Sequence, residues 1–188
     1  VTTLPEAVCD EDVDFGIRGE GENSFPHLLR CLEAGGTQEE EIPGLLTEDS
    51  LGTDRCPPVR IRDLDGLPSP LREGLPERYY RNYQAASHVR MSRQRLAAVS
   101  ATRGCPFACI FCPNYALTQG IQISRSVSSV LEETERLFQG RKVNLINFLD
   151  ENFGYRREWL RRFAAEKTRR KIPVPYFANV SVTGMDAE

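Results

Sequence analysis

The chain has 188 residues, 40% hydrophobic and 27% charged, a globular composition that excludes a low-complexity chain. No apolar run approaches the ~20 residues of a membrane-spanning helix, and the opening VTTLPEAVCDEDVDF lacks the basic and apolar regions of a secretory signal. Net charge is −3, but residues 1–76 carry 6 basic and 17 acidic side chains while residues 77–188 carry 18 and 10. Such a reversal marks two units of different origin, or parts of two, with a boundary near Pro76. The first residue is Val1, so the interior of a longer gene product is expected.

Val13, Phe15 and Ile17 alternate with polar or small neighbours and predict a short strand. Gly19 and Gly21 allow a tight turn after it. A helix follows, with Ser24 as N-cap and Pro26 in its first turn. Its apolar stripe is Phe25, Leu28, Leu29 and Leu32, and Gly35-Gly36 ends it. Residues 37–90 are rich in Pro, Gly and acidic groups, including Glu39-Glu40-Glu41, and predict an irregular packed connector. One short hairpin is expected there, from Ile42–Leu46 and Val59–Ile61.

Regular alternation begins at Leu96. Leu96–Ser100 predicts a strand. Ser126 caps a helix with Val127, Val130, Leu131, Leu137 and Phe138 at helical spacing, closed by Gly140. Val143–Leu149 predicts a buried strand, and Arg156–Arg170 a helix with Trp159, Leu160 and Phe163 inward. Val174–Ala178 begins a third strand. Strand–helix alternation of this kind produces parallel strands with right-handed crossovers.

The six cysteines are unevenly placed. Cys9, Cys31 and Cys56 stand alone and read as buried or incidental thiols. Cys105, Cys109 and Cys112 form C-x3-C-x2-C inside TRGCPFACIFC. A secreted disulfide framework spreads its cysteines more evenly, whereas thiols this close together are metal ligands that need a reducing compartment. A cytoplasmic location follows as the expectation. Iron–sulfur clusters are held by cysteine thiolates, and three ligands on a four-iron cubane leave one iron open to an external ligand. Phe107, Ile110 and Phe111 are expected to shield such a cluster from water.

This segment resembles the signature of the radical S-adenosylmethionine (SAM) superfamily. The resemblance implies that Cys105, Cys109 and Cys112 ligate a 4Fe–4S cluster whose open iron chelates SAM, that Phe111 packs beside the adenine, and that reductive SAM cleavage yields a 5′-deoxyadenosyl radical. Leu149-Asp150-Glu151 stands where many family members have Gly-Gly-Glu, which implies a SAM-ammonium contact for Asp150 or Glu151; the alternative is that Asp150 or Asn152 organises the turn. The implied fold is α/β: residues 96–188 are the first β/α units of a partial (β/α)6 TIM-like barrel, with the cysteine loop, Asp150–Phe153 and Asn179 at one rim. An electron donor such as flavodoxin or ferredoxin is the implied partner.

VDFGIRGEGENSFPHLL is similar to the last strand, turn and helix of the Rossmann-like cobalamin-binding domain that precedes many radical SAM barrels. Residues 1–36 are thereby its C-terminal end, and 37–95 a connector. The D-x-H-x-x-G loop of such domains is not in this sequence, so cobalamin is expected of the full-length protein and the fragment alone is expected to be inactive. Glu20 and Glu22 equally suit the positive end of the following helix. The expected function is a cobalamin-associated radical SAM enzyme, such as a methyltransferase. The alternatives are an RNA-modifying methylthiotransferase, a ring-forming enzyme, or a non-catalytic module with a structural metal. The basic run from Arg156 to Lys171 is expected to be a solvated outer helix face, and nucleic acid is not the expected partner. The substrate lies outside what the sequence specifies.

Overall fold

The computed structural model describes residues 12–36, 42–47, 57–81 and 94–182. Cys9, Cys56, His88 and the Glu39–Glu41 run lie outside them. In chain order the elements are β1 (Gly16–Ile17), α1 (Ser24–Glu33), β2 (Leu45–Leu46), α2 (Arg78–Arg81), β3 (Leu96–Val99), β4 (Thr102–Arg103), α3 (Asn114–Thr118), β5 (Ile123–Ser124), α4 (Val127–Arg141), β6 (Leu145–Phe148), α5 (Arg157–Arg169) and β7 (Tyr176–Ala178). They group into two compact units, residues 1–62 with 108–119, and residues 63–107 with 120–188.

In the first unit β1 pairs antiparallel with β2, Gly16 opposite Leu46 and Ile17 opposite Leu45. The expected hairpin between Ile42–Leu46 and Val59–Ile61 does not form. Both segments join β1 or the residues just after it: Arg18 N–H donates to Gly44 O, and Val59 N–H to Arg18 O. Gly19 makes this possible, since it has φ +99 and a Cβ there would lie 2.4 Å from Val59 N. Ser24 is the first helical residue of α1 and Asn23 its N-cap; the Ser24 hydroxyl instead donates to Pro43 O at 2.7 Å. Leu28 packs with Ile42 and Leu45, and half-buried Phe15 and Cys31 lie against them. The rest of the expected stripe, Phe25, Leu29 and Leu32, is exposed. Gly35 has φ 79 just past the helix end, as its position there requires.

The second unit is built on a parallel sheet of order β3-β6-β7, with Leu96 opposite Leu145 and Ile146 opposite Tyr176. Helices α4 and α5 are the two crossovers, as the alternation of apolar runs and amphipathic segments predicts. Ser126 caps α4, its Oγ accepting from Ser129 N–H. The helix runs through Gly140 and stops at Lys142, which takes the left-handed conformation at φ 53. The core joins Val99, Val130, Leu131, Val143, Ile146 and Phe148. Phe148 stacks on Phe153 at 4.4 Å and Phe163 on Trp159 at 5.3 Å, forming an aromatic layer against the end of β6. Phe138 stays exposed.

Candidate functional site

The C-terminal ends of the parallel strands bring together several of the residues singled out by sequence. β3 leads through Ala101 into β4, which pairs antiparallel with β5. Gly104 follows at φ 90, a conformation that suits glycine, and Cys105 comes next. From the end of β6, Asp150 reaches this same segment. It is 1% exposed, and its Oδ1 accepts from Thr102 Oγ1 at 2.6 Å while Oδ2 accepts from Ala101 N–H at 3.1 Å. Burial pushes its carboxyl up from the ordinary value, against the pull of those hydrogen bonds. Neighbouring Glu151 is exposed, and its Oε2 accepts from Gly104 N–H at 3.1 Å. The two carboxylates thus differ: one is buried with both oxygens engaged, the other is solvent-facing and bonded to Gly104, next to Cys105.

Asn152 completes the loop. It is buried; its Oδ1 accepts from Ser181 N–H at 2.9 Å and its backbone carbonyl from Gln122 Nε2 at 2.9 Å. Phe153 N–H donates to Asn179 O at 2.8 Å. The loops after β6 and β7 are therefore tied at one edge of the sheet. Sequence reasoning missed the roles of Thr102 and Gln122, because a hydroxyl or amide that bonds 30 or more residues away leaves no local pattern.

Cys109, Phe111 and Cys112 belong to the first unit. There Cys112 N–H donates to Cys109 O at 3.0 Å, a single turn ahead of α3. Cys109 is exposed, and Cys105 and Cys112 are half-buried; none of them forms a disulfide. As donor chemistry three free thiols fit an iron–sulfur cluster, which is held by cysteine thiolates. Among the described residues no group of three or more His, Cys, Asp or Glu side chains is gathered as a metal site. Of the expected apolar shield, Phe107 packs edge-on against Tyr155 at 5.5 Å, while Ile110 and Phe111 are exposed. Glu20 is committed within its own unit, accepting from Ile61 N–H.

Residues 99–185 match the sequence profile described as the Radical SAM superfamily. Residues 99–185 are therefore the part of the chain that is similar to radical SAM domains. Its parallel α/β sheet is the radical SAM fold, and the matched residues include the cysteine stretch, Asp150 and Glu151. The chain is similar to an uncharacterised methyltransferase of Pyrococcus horikoshii, 30% identical over 155 residues, which cover 80% of this chain and 30% of that protein. It is also similar to an anaerobic magnesium-protoporphyrin IX monomethyl ester cyclase of Cereibacter sphaeroides, 27% identical over 177 residues, 91% of this chain and 27% of that one. Among solved structures it superposes on the radical S-adenosylmethionine methyltransferase TsrM of Kitasatospora setae, solved with cobalamin and a 4Fe–4S cluster bound. The TM-score is 0.60 at 21% identity, over 85% of this chain and 30% of that one, and the likeness is one of fold. The chain thus spans less than a third of each of these relatives. Among its described residues no helix is long and apolar enough to cross a membrane.

Proposed function

We propose that this chain is part of a cobalamin-associated radical SAM enzyme in which Cys105, Cys109 and Cys112 hold a 4Fe–4S cluster with one iron left for SAM. The observation that carries this is the C-x3-C-x2-C stretch within the matched segment, which begins just after β4, the short strand that follows β3. Held by these three thiolates, such a cluster would supply one-electron reducing chemistry toward SAM. The chain's own residues supply position. Gly104 turns the backbone into the cysteine stretch, and Asp150 pins Ala101 and Thr102 behind it. Glu151 offers its solvent-facing carboxylate to the SAM ammonium, a charge-assisted contact. Asp150 keeps the positioning role, since both its oxygens are already engaged. Phe111 is exposed and free to cover the adenine.

The proposed organisation is a partial (β/α)6 barrel beginning at residue 96, a connector over 37–95, and the end of a cobalamin-binding domain over 1–36. The methyltransferase relative and the cobalamin-bound TsrM support methyl transfer. The cyclase relative supports ring formation as a second reading. In either case a flavodoxin- or ferredoxin-type protein delivers the electron, in a reducing, cytoplasmic setting, and the substrate pocket belongs to the full-length protein.

Electron paramagnetic resonance of the anaerobically reconstituted, reduced protein tests this. A cubane signal that shifts on adding SAM is expected. Zinc in place of iron, or a cubane signal indifferent to SAM in the full-length protein, would favour a structural metal module.

A further inference from the structure

A cleft of about 420 Å³ lies within the second unit, between residues 64–72 and the N-terminal end of α4. Its volume falls in the range of roughly 300–1,000 Å³ typical of small-molecule sites. Four arginines (Arg72, Arg103, Arg125 and Arg136) line it against three carboxylates, Asp65, Glu132 and Glu133.

The hydrogen bonds decide what this lining still has to offer. Asp65 uses both oxygens to accept from Ser126 N–H, at 3.0 and 2.9 Å. Glu133 gives one oxygen to Arg72 at 2.8 Å and the other to Arg125 at 2.6 Å, so one buried carboxylate is shared by two guanidinium ions. Glu132 accepts from the Ser128 hydroxyl. The acceptors are therefore largely taken. The hydroxyls are used the opposite way. Ser69 accepts from Arg136, Ser126 from Ser129 N–H, and Ser129 from Arg125. Each leaves its own O–H without an acceptor among the described residues. Arg136 is exposed and engages Ser69 through one nitrogen. A surplus of donors and of positive charge, facing one cleft, is complementary to an oxyanion.

We propose that this cleft binds the phosphate group of a small phosphorylated molecule, through Arg136 and the hydroxyls of Ser69, Ser126 and Ser129. A phosphate alone would leave most of the volume empty, which favours an ester with a sugar-sized substituent. Arg103 lies in the same wall, two residues before Cys105, so an occupant would abut the strand that leads into the cysteine stretch.

Isothermal titration of the full chain in phosphate- and sulfate-free buffer tests this, with ribose 5-phosphate, inorganic phosphate and ribose as probes. Saturable binding of ribose 5-phosphate is expected, weakened about tenfold or more in Arg136→Ala and largely kept in Arg136→Lys, with ribose inert. Ser69→Ala should weaken binding with an unchanged melting temperature, a check that holds even if Arg136→Ala unfolds. Equal affinity for inorganic phosphate would support the oxyanion site with the free ion as its source. The proposal is overturned if neither phosphate binds saturably, or if folded Arg136→Ala and Ser69→Ala bind as the parent does.

Discussion

Thr102 and Asp150 are joined by a 2.6 Å hydrogen bond from hydroxyl to carboxylate, across 48 residues of chain. With the Ala101 amide on its other oxygen, Asp150 fastens the end of β6 to the strand that runs into Cys105. Because burial raises its carboxyl above the ordinary value, the folded state holds this proton more tightly than the unfolded one. The stability linked to the group is fully present below the ordinary carboxylate pKa and is lost as pH rises through the raised value. Asp150→Asn removes this titration. The parent should therefore gain stability relative to Asp150→Asn as pH falls from neutral toward the carboxylate range, read by urea denaturation at several pH values. Asp150→Ala should cost about 1–3 kcal/mol for each orphaned donor at neutral pH.

Glu133 supports the same unit from α4. Only 4% of it is exposed, and it faces Arg72 and Arg125. Glu133→Ala leaves two partly buried guanidinium ions without their shared partner. A loss of about 3–5 kcal/mol is expected, as for other broken buried pairs. Denaturation of the single and double variants with Arg125→Ala checks it. The double variant should recover part of the loss, since one of the two stranded charges is gone.

Much of the second unit was legible because its order is local. The run Leu96–Val99 is apolar throughout and Leu145–Phe148 is broken only by Asn147, and α4 and α5 show helical spacing, so strands, helices and parallel sense follow from the sequence. β4 and β5 have two residues each, too few for any periodicity. The antiparallel pair they form, which carries the chain toward Cys105, was invisible for that reason. Ser24 misled because a serine before an apolar stripe suits an N-cap, yet its hydroxyl found a tertiary acceptor in Pro43. The cysteine spacing stood out because all three thiols sit in one stretch. The division between Asp150 and Glu151 did not, since only the fold determines which carboxylate is buried.

Phe163 tests the aromatic layer beneath the site. It is 1% exposed and meets Phe148, Phe153, Trp159 and Tyr176 at 5.3–5.8 Å between ring centres. Phe163→Ala should cost about 3–5 kcal/mol, the range for truncating a buried aromatic. Phe163→Leu should cost less, because more of the volume is kept. Equilibrium unfolding in urea distinguishes them.

Glu151 separates holding the cysteine stretch from holding SAM. Its Oε2 accepts the Gly104 amide, and its charge is the proposed partner of the SAM ammonium. Glu151→Gln retains an acceptor for Gly104 and loses the charge, whereas Glu151→Ala loses both. In the reconstituted protein Glu151→Gln should keep its iron content and weaken SAM binding by about tenfold or more, matching the loss of a charge-assisted bond of roughly 1.5–3 kcal/mol. Glu151→Ala should lower iron content as well. If Glu151→Gln binds SAM as the parent does, the ammonium contact belongs to another residue, and the role left to Glu151 is the Gly104 hydrogen bond.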